Sequence, residues 1–322
     1  MMKQLVVIAF CLCAHWGVSQ KTVPIIIDTD IAPDYDDVGA LAVLHSLADR
    51  GEAKILATIS CNVFETTVPT LSLLNTYFKR PEIPIGVTKG DGPNKNCQQK
   101  WAEAIVKKYP HSITKNEDAW DAVQLYRKIL STQPDKSVTI VTIGFFTNLA
   151  NLLASTPDRY SSLNGKDLIA RKVKQLVSMA AGIGSDGKGF REFNVLVDAF
   201  SSRKVFNEWP TSILLSGFEI GYKILTGKRL IADASLQSSP VQEAFQIALT
   251  ADRNTEGRHS WDQTAVLVAV RGADPYFDIR KINFEIKDDG TSVVIAGERF
   301  SYLIEKMPAN EVARVIEDLM MR

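Results

Sequence analysis

The chain has 322 residues, of which 45% are hydrophobic and 23% are charged, a composition typical of a globular protein with a sizeable core. Lys and Arg together number 37, as do Asp and Glu, so there is neither the basic excess of a nucleic-acid-binding protein nor an acidic tail. Of the four cysteines, only Cys61 and Cys97 lie beyond the N-terminal segment. Two cysteines are not a disulfide scaffold, and their spacing matches no zinc site, so they either pair or remain separate thiols.

The first 20 residues, MMKQLVVIAFCLCAHWGVSQ, differ in character from the rest of the chain. Lys3 precedes an apolar run at 5–14, and small residues follow it up to Ser19, which is the pattern of a secretory signal peptide. The run is shorter than the roughly 20 residues that a membrane-spanning helix needs, so we expect no stable membrane insertion. We predict a signal peptide at 1–19 and a single domain at 20–322 that is exported, either to the periplasm or outside the cell. The alternative is a buried first strand.

Strand-like and helical segments alternate along the rest of the chain. Continuous β-branched runs predict strands that are covered on both faces, and apolar residues at helical spacing predict the helices between them. The predicted strands are VPIII (23–27), AKILATIS (53–60), IPIGV (83–87), VTIVTIG (138–144), VKQLVSMA (173–180) and TSILLSG (211–217). The predicted helices cover 38–49, 68–78, 118–130, 147–155 and 200–207. Repeated βα units predict an α/β fold with a doubly wound, mostly parallel open sheet flanked by helices.

The end of the chain departs from this alternation. INFEIKDDGTSVVIAG (282–297) predicts a β-hairpin that turns at Asp289-Gly290, and NEVARVIEDLMM predicts a closing helix. In doubly wound sheets, ligands bind at the carboxyl ends of the strands, near the point where the strand order reverses. We therefore expect functional residues directly after the strands, first of all after the strand at 23–27.

Five aspartates fall within ten positions after that strand, in the stretch DTDIAPDYDD: Asp28, Asp30, Asp34, Asp36 and Asp37. Aspartate is a good helix N-cap, but capping accounts for one or two of the five and not for the pair that directly follows the strand. Repulsion among crowded carboxylates is costly unless a cation or a ligand takes up the charge. Calcium takes about six to eight oxygen ligands, and the spacing is not that of an EF-hand. The sequence therefore favours a calcium site assembled from distant parts of the chain.

The aspartate stretch and four later blocks resemble the inosine–uridine-type nucleoside hydrolase family. The family signature is a strand followed by DxDxGxDDxxA; DTDIAPDYDDVGAL has two additional residues before the DD pair, a spacing similar to that of exported bacterial members. The later blocks, in family order, are SCNVFE (60–65), TIGFFTNLANLL (142–153), REFNVLVD (191–198) and SWDQTAVLVAV (260–270). The resemblance covers nearly the whole chain beyond the N-terminal segment, and it implies the nucleoside hydrolase fold.

The resemblance implies a calcium-dependent N-glycosidase that hydrolyses ribonucleosides to ribose and free base. It places the calcium ion between Asp30, Asp37, Asp262 and the backbone carbonyl of Ile143. It makes Asp36 the general base that deprotonates the attacking water, an assignment that agrees with the effect of a cation on the pKa of water. A simpler reading of Asp262 is that it caps the helix that follows it.

The resemblance also implies sugar-binding and supporting residues. Asn62, Glu192 and Asn194 would bind the sugar hydroxyls, since Asn supplies donors and Glu accepts. Asp28 would support the metal ligands from one strand position back. Simpler readings stay open: a turn residue for Asn62, a surface charge for Glu192 and a local cap for Asn194.

The sequence departs from the family pattern at the leaving-group side. Well-known members have a histidine immediately before the last metal aspartate, where it helps to protonate the leaving base; here that position is Trp261. Trp261 is a candidate to stack on a flat base, and His259 is a candidate for the acid. The block AGIGSDGKGFREFN is altered as well and has no clear counterpart to the family's further ribose-binding asparagine, for which Asp186 is a candidate. Asp34 in the insertion either assists the metal or fills the turn. The base that is removed is therefore not fixed by the sequence.

Two other functions stay open. An enzyme with the same metal and ribose residues could take another ribosyl compound, such as nicotinamide riboside. Alternatively, the protein binds ribose through a metal without turnover; the retained Asp36 argues against this reading, and the missing histidine argues for it. No G-x-x-x-x-G-K-[ST] loop is present, which disfavours phosphoryl transfer. The resemblance implies a nucleoside as the small-molecule partner and a homodimer or homotetramer.

Overall fold

The computed structural model of the chain describes residues 22–184, 188–236 and 238–321. Its strands are β1 (Val23–Thr29), β2 (Ala53–Ser60), β3 (Ile85–Val87), β4 (Trp120–Asp121), β5 (Val138–Thr142), β6 (Val173–Met179), β7 (Ser212–Ser216), β8 (Leu225–Thr226), β9 (Arg258–His259), β10 (Phe277–Ile286) and β11 (Ser292–Glu305). Its helices are α1 (Asp36–Asp49), α2 (Thr67–Tyr77), α3 (Trp101–Lys108), α4 (Ala122–Thr132), α5 (Thr147–Ala154), α6 (Gly165–Lys172), α7 (Phe193–Val197), α8 (Ala199–Glu208), α9 (Phe218–Lys223), α10 (Lys228–Ala232), α11 (Pro240–Ala251), α12 (Trp261–Arg271) and α13 (Ala309–Met320). The predicted signal peptide at 1–19 and Asp186 lie outside the described residues.

A nine-stranded sheet forms the centre of the molecule, in the spatial order β10-β11-β7-β6-β5-β1-β2-β3-β4. Neighbouring strands are parallel except in the hairpin β10–β11. The chain passes from β1 to β2 on one side and returns with β5 on the other, so the strand order reverses at β1. β8 and β9 form a separate antiparallel ribbon. The prediction of a doubly wound, mostly parallel α/β sheet is confirmed.

Strand β1 lies in the middle of the sheet and is buried on both faces. Ile25 and Ile27 pack into the hydrophobic core beside α1, α12 and α13, whereas Ile26 packs into the core beside α4 and α5. Burial of each such side chain contributes roughly 1.5–3 kcal/mol. Two-sided burial explains why the strand is a continuous apolar run rather than an alternating one. It also fixes the position of the aspartates that begin at the end of this strand.

Most predicted elements agree with the structure to within a few residues. The predicted helix at 118–130 begins later, at Ala122, because Trp120–Asp121 forms an edge strand and the Asp121 side chain accepts a hydrogen bond from Gln124 N as the helix N-cap. The hairpin is longer than predicted, and its turn contains Asp289 and Gly290 as expected; Gly290 has a φ of +79°, which favours glycine.

Several helices, among them α3 and α11, were not predicted from the sequence. Cys61 is buried and Cys97 is half-buried, and both are free thiols. Within the described ranges, no helix combines the length and the apolar character that crossing a bilayer requires.

Candidate active site

An acidic cluster lies where the sheet order reverses. Asp30 follows β1, Asp36 and Asp37 are the first residues of α1, and Asp262 lies in the first turn of α12; all four are buried. Carboxylate oxygens of Asp36, Asp37 and Asp262 lie within 4.8 Å of one another. Their positions at helix N-termini are favourable for negative charge, but the helix dipole offsets only part of the repulsion at this distance.

The carboxylate of Asp37 is only partly satisfied by hydrogen bonds. One of its oxygens accepts a short hydrogen bond from Thr29 Oγ1, whose hydroxyl oxygen in turn accepts from Ile31 N at 3.1 Å. The other oxygen is buried and has no hydrogen-bond partner among the described residues. A buried carboxylate oxygen without a partner costs free energy. A cation at this position would remove that cost, so the residues present fit a metal ion.

Burial and repulsion act together on the acidic cluster. Burial, followed by the charges of the neighbouring carboxylates, raises the pKa values of Asp30, Asp37 and Asp262 well above their ordinary range. The donors are oxygens only, which are the ligands of hard cations such as calcium and magnesium rather than of zinc or copper.

The chain between β5 and α5 packs closely against Asp30. Ile143 N donates a hydrogen bond to the Asp28 carbonyl oxygen at 2.8 Å, and Ile143 lines the cavity that contains the acidic cluster. A Cβ on Gly144 would lie 2.5 Å from Asp30 N and 2.8 Å from Cys61 Sγ. Only glycine permits this approach, which brings Ile143, the predicted carbonyl ligand, to the predicted aspartates.

Asp28 lies beneath the acidic cluster and is fully buried. Its carboxylate accepts hydrogen bonds from Tyr126 Oη at 2.9 Å and from Asn148 Nδ2 at 3.1 Å. Burial raises its pKa to about 7, and the two hydrogen bonds act in the opposite direction. It does not line the cavity. This position agrees with the supporting role that the sequence suggests.

Glu192 and Asn194 line the same cavity from the start of α7. Glu192 caps that helix: its carboxylate accepts from Asn194 N at 2.8 Å and from Val195 N and Ala181 N at 3.2 Å. Asn194 Nδ2 donates to the Met179 carbonyl oxygen at 3.2 Å. Burial raises the pKa of Glu192 to about 7, against the effect of the backbone donors. Glu192 is therefore a buried cap that also faces the cavity, not the surface charge that was the alternative.

Asn62 is placed differently from the other predicted sugar-binding residues. It does not line the cavity, and its amide is occupied by backbone groups. Nδ2 donates to the carbonyl oxygens of Asp30 and Lys95 at 2.8 Å, and Oδ1 accepts from Lys95 N at 3.0 Å and Phe64 N at 3.2 Å. Asn62 thus ties the loop around Lys95 to the chain at Asp30. A contact between Asn62 and the sugar stays a prediction, and the Asn62 amide would have to give up one of its hydrogen bonds to the backbone to make it.

An aromatic cluster, Phe218, Tyr222, His259 and Trp261, adjoins the acidic cluster. Its rings form a closed circuit with centroid separations of 4.6–5.4 Å. Phe218 and Trp261 line the cavity, which has a volume of about 370 Å³, and Trp261 Nε1 donates to the Phe218 carbonyl oxygen at 2.9 Å. α9 approaches α12 closely at Gly221, where a Cβ would lie 2.4 Å from Trp261 Cα.

His259, the predicted acid, is part of the aromatic cluster but not of the cavity lining. Its Nδ1 lies 2.5 Å from the Tyr222 carbonyl oxygen, and its ring stacks on that of Tyr222 at 4.6 Å. Burial lowers its pKa, which disfavours the protonated form. His259 therefore lies beside the cavity rather than in its described lining, and its role as the acid stays a prediction.

Arg258, for which the sequence predicts no role, does line the cavity. Its Nε and Nη2 donate to Asp36 Oδ1 at 3.2 and 3.0 Å, and Nη2 also makes a short ion pair with Asp34. The guanidinium lies 5.1 Å from the Tyr35 ring centroid and 5.0 Å from that of Trp261. Asp34 thus holds an arginine, which settles neither of the two roles predicted for it.

The family model described as inosine-uridine preferring nucleoside hydrolase matches residues 25–318. The chain belongs to this family. A pyrimidine-specific ribonucleoside hydrolase RihA from Salmonella dublin is 29% identical over 216 residues, which cover 62% of this chain and 61% of that protein. RihA from Salmonella agona is 27% identical over 214 residues, with the same coverage. The matched region therefore spans less than two thirds of these curated relatives.

Solved structures of the family show the same fold. A plant nucleoside hydrolase has a TM-score of 0.71 at 18% identity, with 93% of this chain and 99% of that chain covered. The inosine-uridine preferring nucleoside hydrolase of Bacillus anthracis has a TM-score of 0.69 at 15% identity, with 93% and 99% covered. At this level of identity the likeness concerns the fold.

Two arginines in the described lining of the cavity, Arg191 and Arg258, had no role predicted from the sequence, and Arg258 is the one that contacts the acidic cluster. The sequence signal for Arg258 was weak, because no periodicity in the segment RNTEGRHSWD distinguishes it from Arg253. Only the contact with Asp36, 222 positions earlier in the chain, shows where it lies.

Proposed function

We propose that the protein is a calcium-dependent N-glycosidase that hydrolyses ribonucleosides to ribose and free base. The observation that carries the proposal is the unpartnered buried oxygen of Asp37, within 4.8 Å of carboxylates of Asp36 and Asp262 and at the edge of a cavity of about 370 Å³. Membership of a nucleoside hydrolase family supports the reaction class. That the curated relatives are pyrimidine-specific supports a pyrimidine nucleoside as the first substrate to try.

The proposed metal ligands are Asp30, Asp37, Asp262 and the Ile143 carbonyl. Calcium suits them better than magnesium does, because it accepts more oxygen ligands in less regular geometry. A bound cation lowers the pKa of water and attracts the oxygens of vicinal hydroxyls. Its two positive charges would offset most of the negative charge of the three carboxylate ligands.

The other assignments concern the chain's own groups. Asp36 takes the proton of the water that attacks the anomeric carbon, and its ion pair with Arg258 fixes its orientation. Glu192 and Asn194, which line the cavity, orient the sugar. The buried carboxylates stabilise the oxocarbenium-like transition state electrostatically. Trp261 supplies a flat surface for the base.

Export after removal of residues 1–19, and assembly into a homodimer or homotetramer, remain predictions of the sequence. The alternatives, another ribosyl substrate or ribose binding without turnover, are outcomes of the experiment below.

The test is ribose release by the purified protein from uridine, cytidine, inosine, adenosine and nicotinamide riboside, with calcium and with EDTA. Asp36→Ala is the site variant, and Asp49→Asn, at the exposed end of the same helix, is the matched control. We expect release that needs calcium, falls about 100-fold or more in Asp36→Ala and is unchanged in Asp49→Asn.

Release from nicotinamide riboside alone would establish the other ribosyl hydrolase instead. No release from any substrate, while calorimetry still detects calcium and ribose binding, would replace the enzyme with the binding protein. Release that continues in EDTA would overturn the metal dependence.

A further inference from the structure

The chemistry at the leaving group needs a residue that the assignments above do not provide. When the C1′–N bond breaks, its electron pair departs with the base, so negative charge develops on the base until a proton arrives from solvent. The attacking water gives its own proton to Asp36. Most residues in the described lining of the cavity carry no positive charge, since they are carboxylates, amides, aromatic groups or aliphatic groups. Two arginines, Arg191 and Arg258, supply positive charge there.

Arg258 is the more restrained of the two arginines. Its side chain is 17% exposed, and Asp34, Asp36 and the rings of Tyr35 and Trp261 all contact it. Arg191 is exposed, and its described hydrogen bond is a long one, of 3.4 Å, to the Asp289 carbonyl oxygen. A preorganised donor stabilises developing charge better than a mobile one, because it does not have to be reoriented during the reaction.

The contacts of Arg258 place it between the two parts of the site. Asp36, the proposed base, binds its Nε and Nη2, and Trp261, the proposed surface for the nucleobase, lies against its guanidinium. The described hydrogen bonds of Arg258 involve Nε and Nη2, so in this part of the structure Nη1 keeps its donors. A base that stacks on Trp261 would therefore come next to a fixed positive charge.

We propose that Arg258 is a catalytic residue that stabilises the departing base by donating N–H hydrogen bonds to a ring nitrogen or a carbonyl oxygen of that base. The guanidinium does not give up its proton near neutral pH, so it acts as a charge and not as an acid. Water finally protonates the base, and the products are ribose and neutral base. Asp34 is a positioning residue that holds the arginine. This inference rests on the proposed function, and it assigns the task for which the sequence had suggested His259.

A substrate whose leaving group needs no help separates this role from a structural one. 4-Nitrophenyl β-D-ribofuranoside releases nitrophenolate, a stable anion, whereas uridine and inosine release poor leaving groups. We expect Arg258→Ala and Arg258→Gln to lower kcat on the nucleosides by about 100-fold or more, the usual effect of removing one such donor. The same variants should change kcat on the nitrophenyl riboside only slightly.

The ratio of the two activities is therefore the readout. Arg171→Gln, which removes a surface arginine that is 59% exposed, is the matched control and should leave the ratio unchanged. Guanidinium ion added to Arg258→Ala should restore part of the nucleoside activity. Asp34→Asn should shift the ratio in the same direction but less; since the Asp34 side chain is 40% exposed, this variant serves if the Arg258 variants do not fold.

Equal losses on both substrates in the Arg258 variants would show that the arginine only orders Asp36, and the proposal would be wrong. A selective loss in Arg191→Gln but not in Arg258→Gln would assign the role to Arg191 instead. Failure of the wild-type protein to cleave the nitrophenyl riboside as well as every nucleoside would refute the proposed function itself, which is a different result from either.

Discussion

The acidic cluster and the aromatic cluster share one cavity but are built in different ways. The acidic cluster comes from the end of the central strand and from the first turns of α1 and α12, helices of 14 and 11 residues that are buried for most of their length. The aromatic cluster comes mainly from α9, of six residues, and β9, of two, and its Tyr222 is 53% exposed.

This difference suggests that metal binding and recognition of the leaving group depend on different parts of the structure. The positions of the carboxylates follow from the packing of the central strand and long helices, so the acidic cluster is fixed by the fold. The aromatic cluster and Arg258 are held by ring contacts and by side-chain hydrogen bonds between short segments. Substitutions there should alter which leaving group is accepted without affecting the metal, and the following predictions test this division.

The largest effect is expected for Asp37→Asn in the acidic cluster. The substitution removes the charge of a proposed metal ligand, and a metal ion in a catalytic site is worth several kcal/mol of transition-state stabilisation. Since each 1.36 kcal/mol is a tenfold change in rate, kcat/KM should fall by about 1000-fold or more. The calcium affinity measured by calorimetry should fall with it.

The metal-free form of the same variant should change in the opposite direction. Asp37→Asn removes one of several mutually repelling buried carboxylates, so in EDTA the free energy of unfolding should rise by about 1–3 kcal/mol. Denaturant unfolding with and without calcium measures both effects. Wild-type calcium affinity in Asp37→Asn, or a lower stability in EDTA, would contradict the assignment of Asp37 as a ligand.

The sequence predicted the sheet and the acidic cluster because both rest on strong local patterns. The apolar run of β1 predicts a strand buried on both faces, and the bounds predicted for β2, at 53–60, are those observed. Asp30, Asp37 and Asp262 were predicted together because their motifs are specific. Short elements such as α9 and β9 were missed, since two to six residues carry no periodicity to detect.

The hydrogen-bond partners of single side chains could not be predicted where the partner lies far away in the chain. Asn62 and His259 were assigned by residue type and position, but each binds backbone groups that only the folded chain brings near: Lys95 for Asn62 and Tyr222 for His259. Arg258 was missed for the same reason, since its carboxylate partners belong to the N-terminal insertion and α1. A sequence shows which groups are available, while their pairing depends on tertiary contacts.

The next effect concerns Glu192, which lines the cavity beside the acidic cluster. Its pKa is raised from 4.5 to about 7 by burial, so the folded protein binds this proton more tightly than the unfolded chain does. The stabilisation that this difference provides is present below about pH 4.5 and is lost as the pH rises towards 7. Relative to Glu192→Gln, the wild-type protein should therefore lose up to about 3 kcal/mol of stability across this range.

Urea unfolding at a series of pH values, in EDTA, measures the difference in the free energy of unfolding between the wild-type protein and Glu192→Gln. The effects of all other titrating groups cancel in this difference, because both proteins contain them. Glu208→Gln, an exposed residue paired with Lys204, should show no such trend. A difference between wild type and Glu192→Gln that stays constant from pH 4.5 to 7 would mean that the backbone donors of the cap, rather than burial, control this carboxyl group.

The smallest effect is expected for Trp261→Ala in the aromatic cluster. Stacking of a base on an aromatic side chain is worth about 1–3 kcal/mol, so kcat/KM for nucleosides should fall by about 10- to 100-fold, while Trp261→Phe should lose less. Trp120→Ala, at the exposed edge strand, is the matched control. Calcium affinity should be unchanged in every one of these variants.

The calcium measurement decides whether the two clusters are independent. Trp261 and Asp262 are neighbours at the start of α12, and Trp261 is tied to Phe218 by a hydrogen bond. If Trp261 only binds the base, Trp261→Ala loses the hydrogen bond to Phe218 of α9 but leaves Asp262 in place, because the buried face of α12 still holds that helix. If calcium affinity falls together with nucleoside activity in Trp261→Ala, the aromatic cluster positions the metal ligand, and the division between a fixed acidic cluster and an adaptable leaving-group side does not hold.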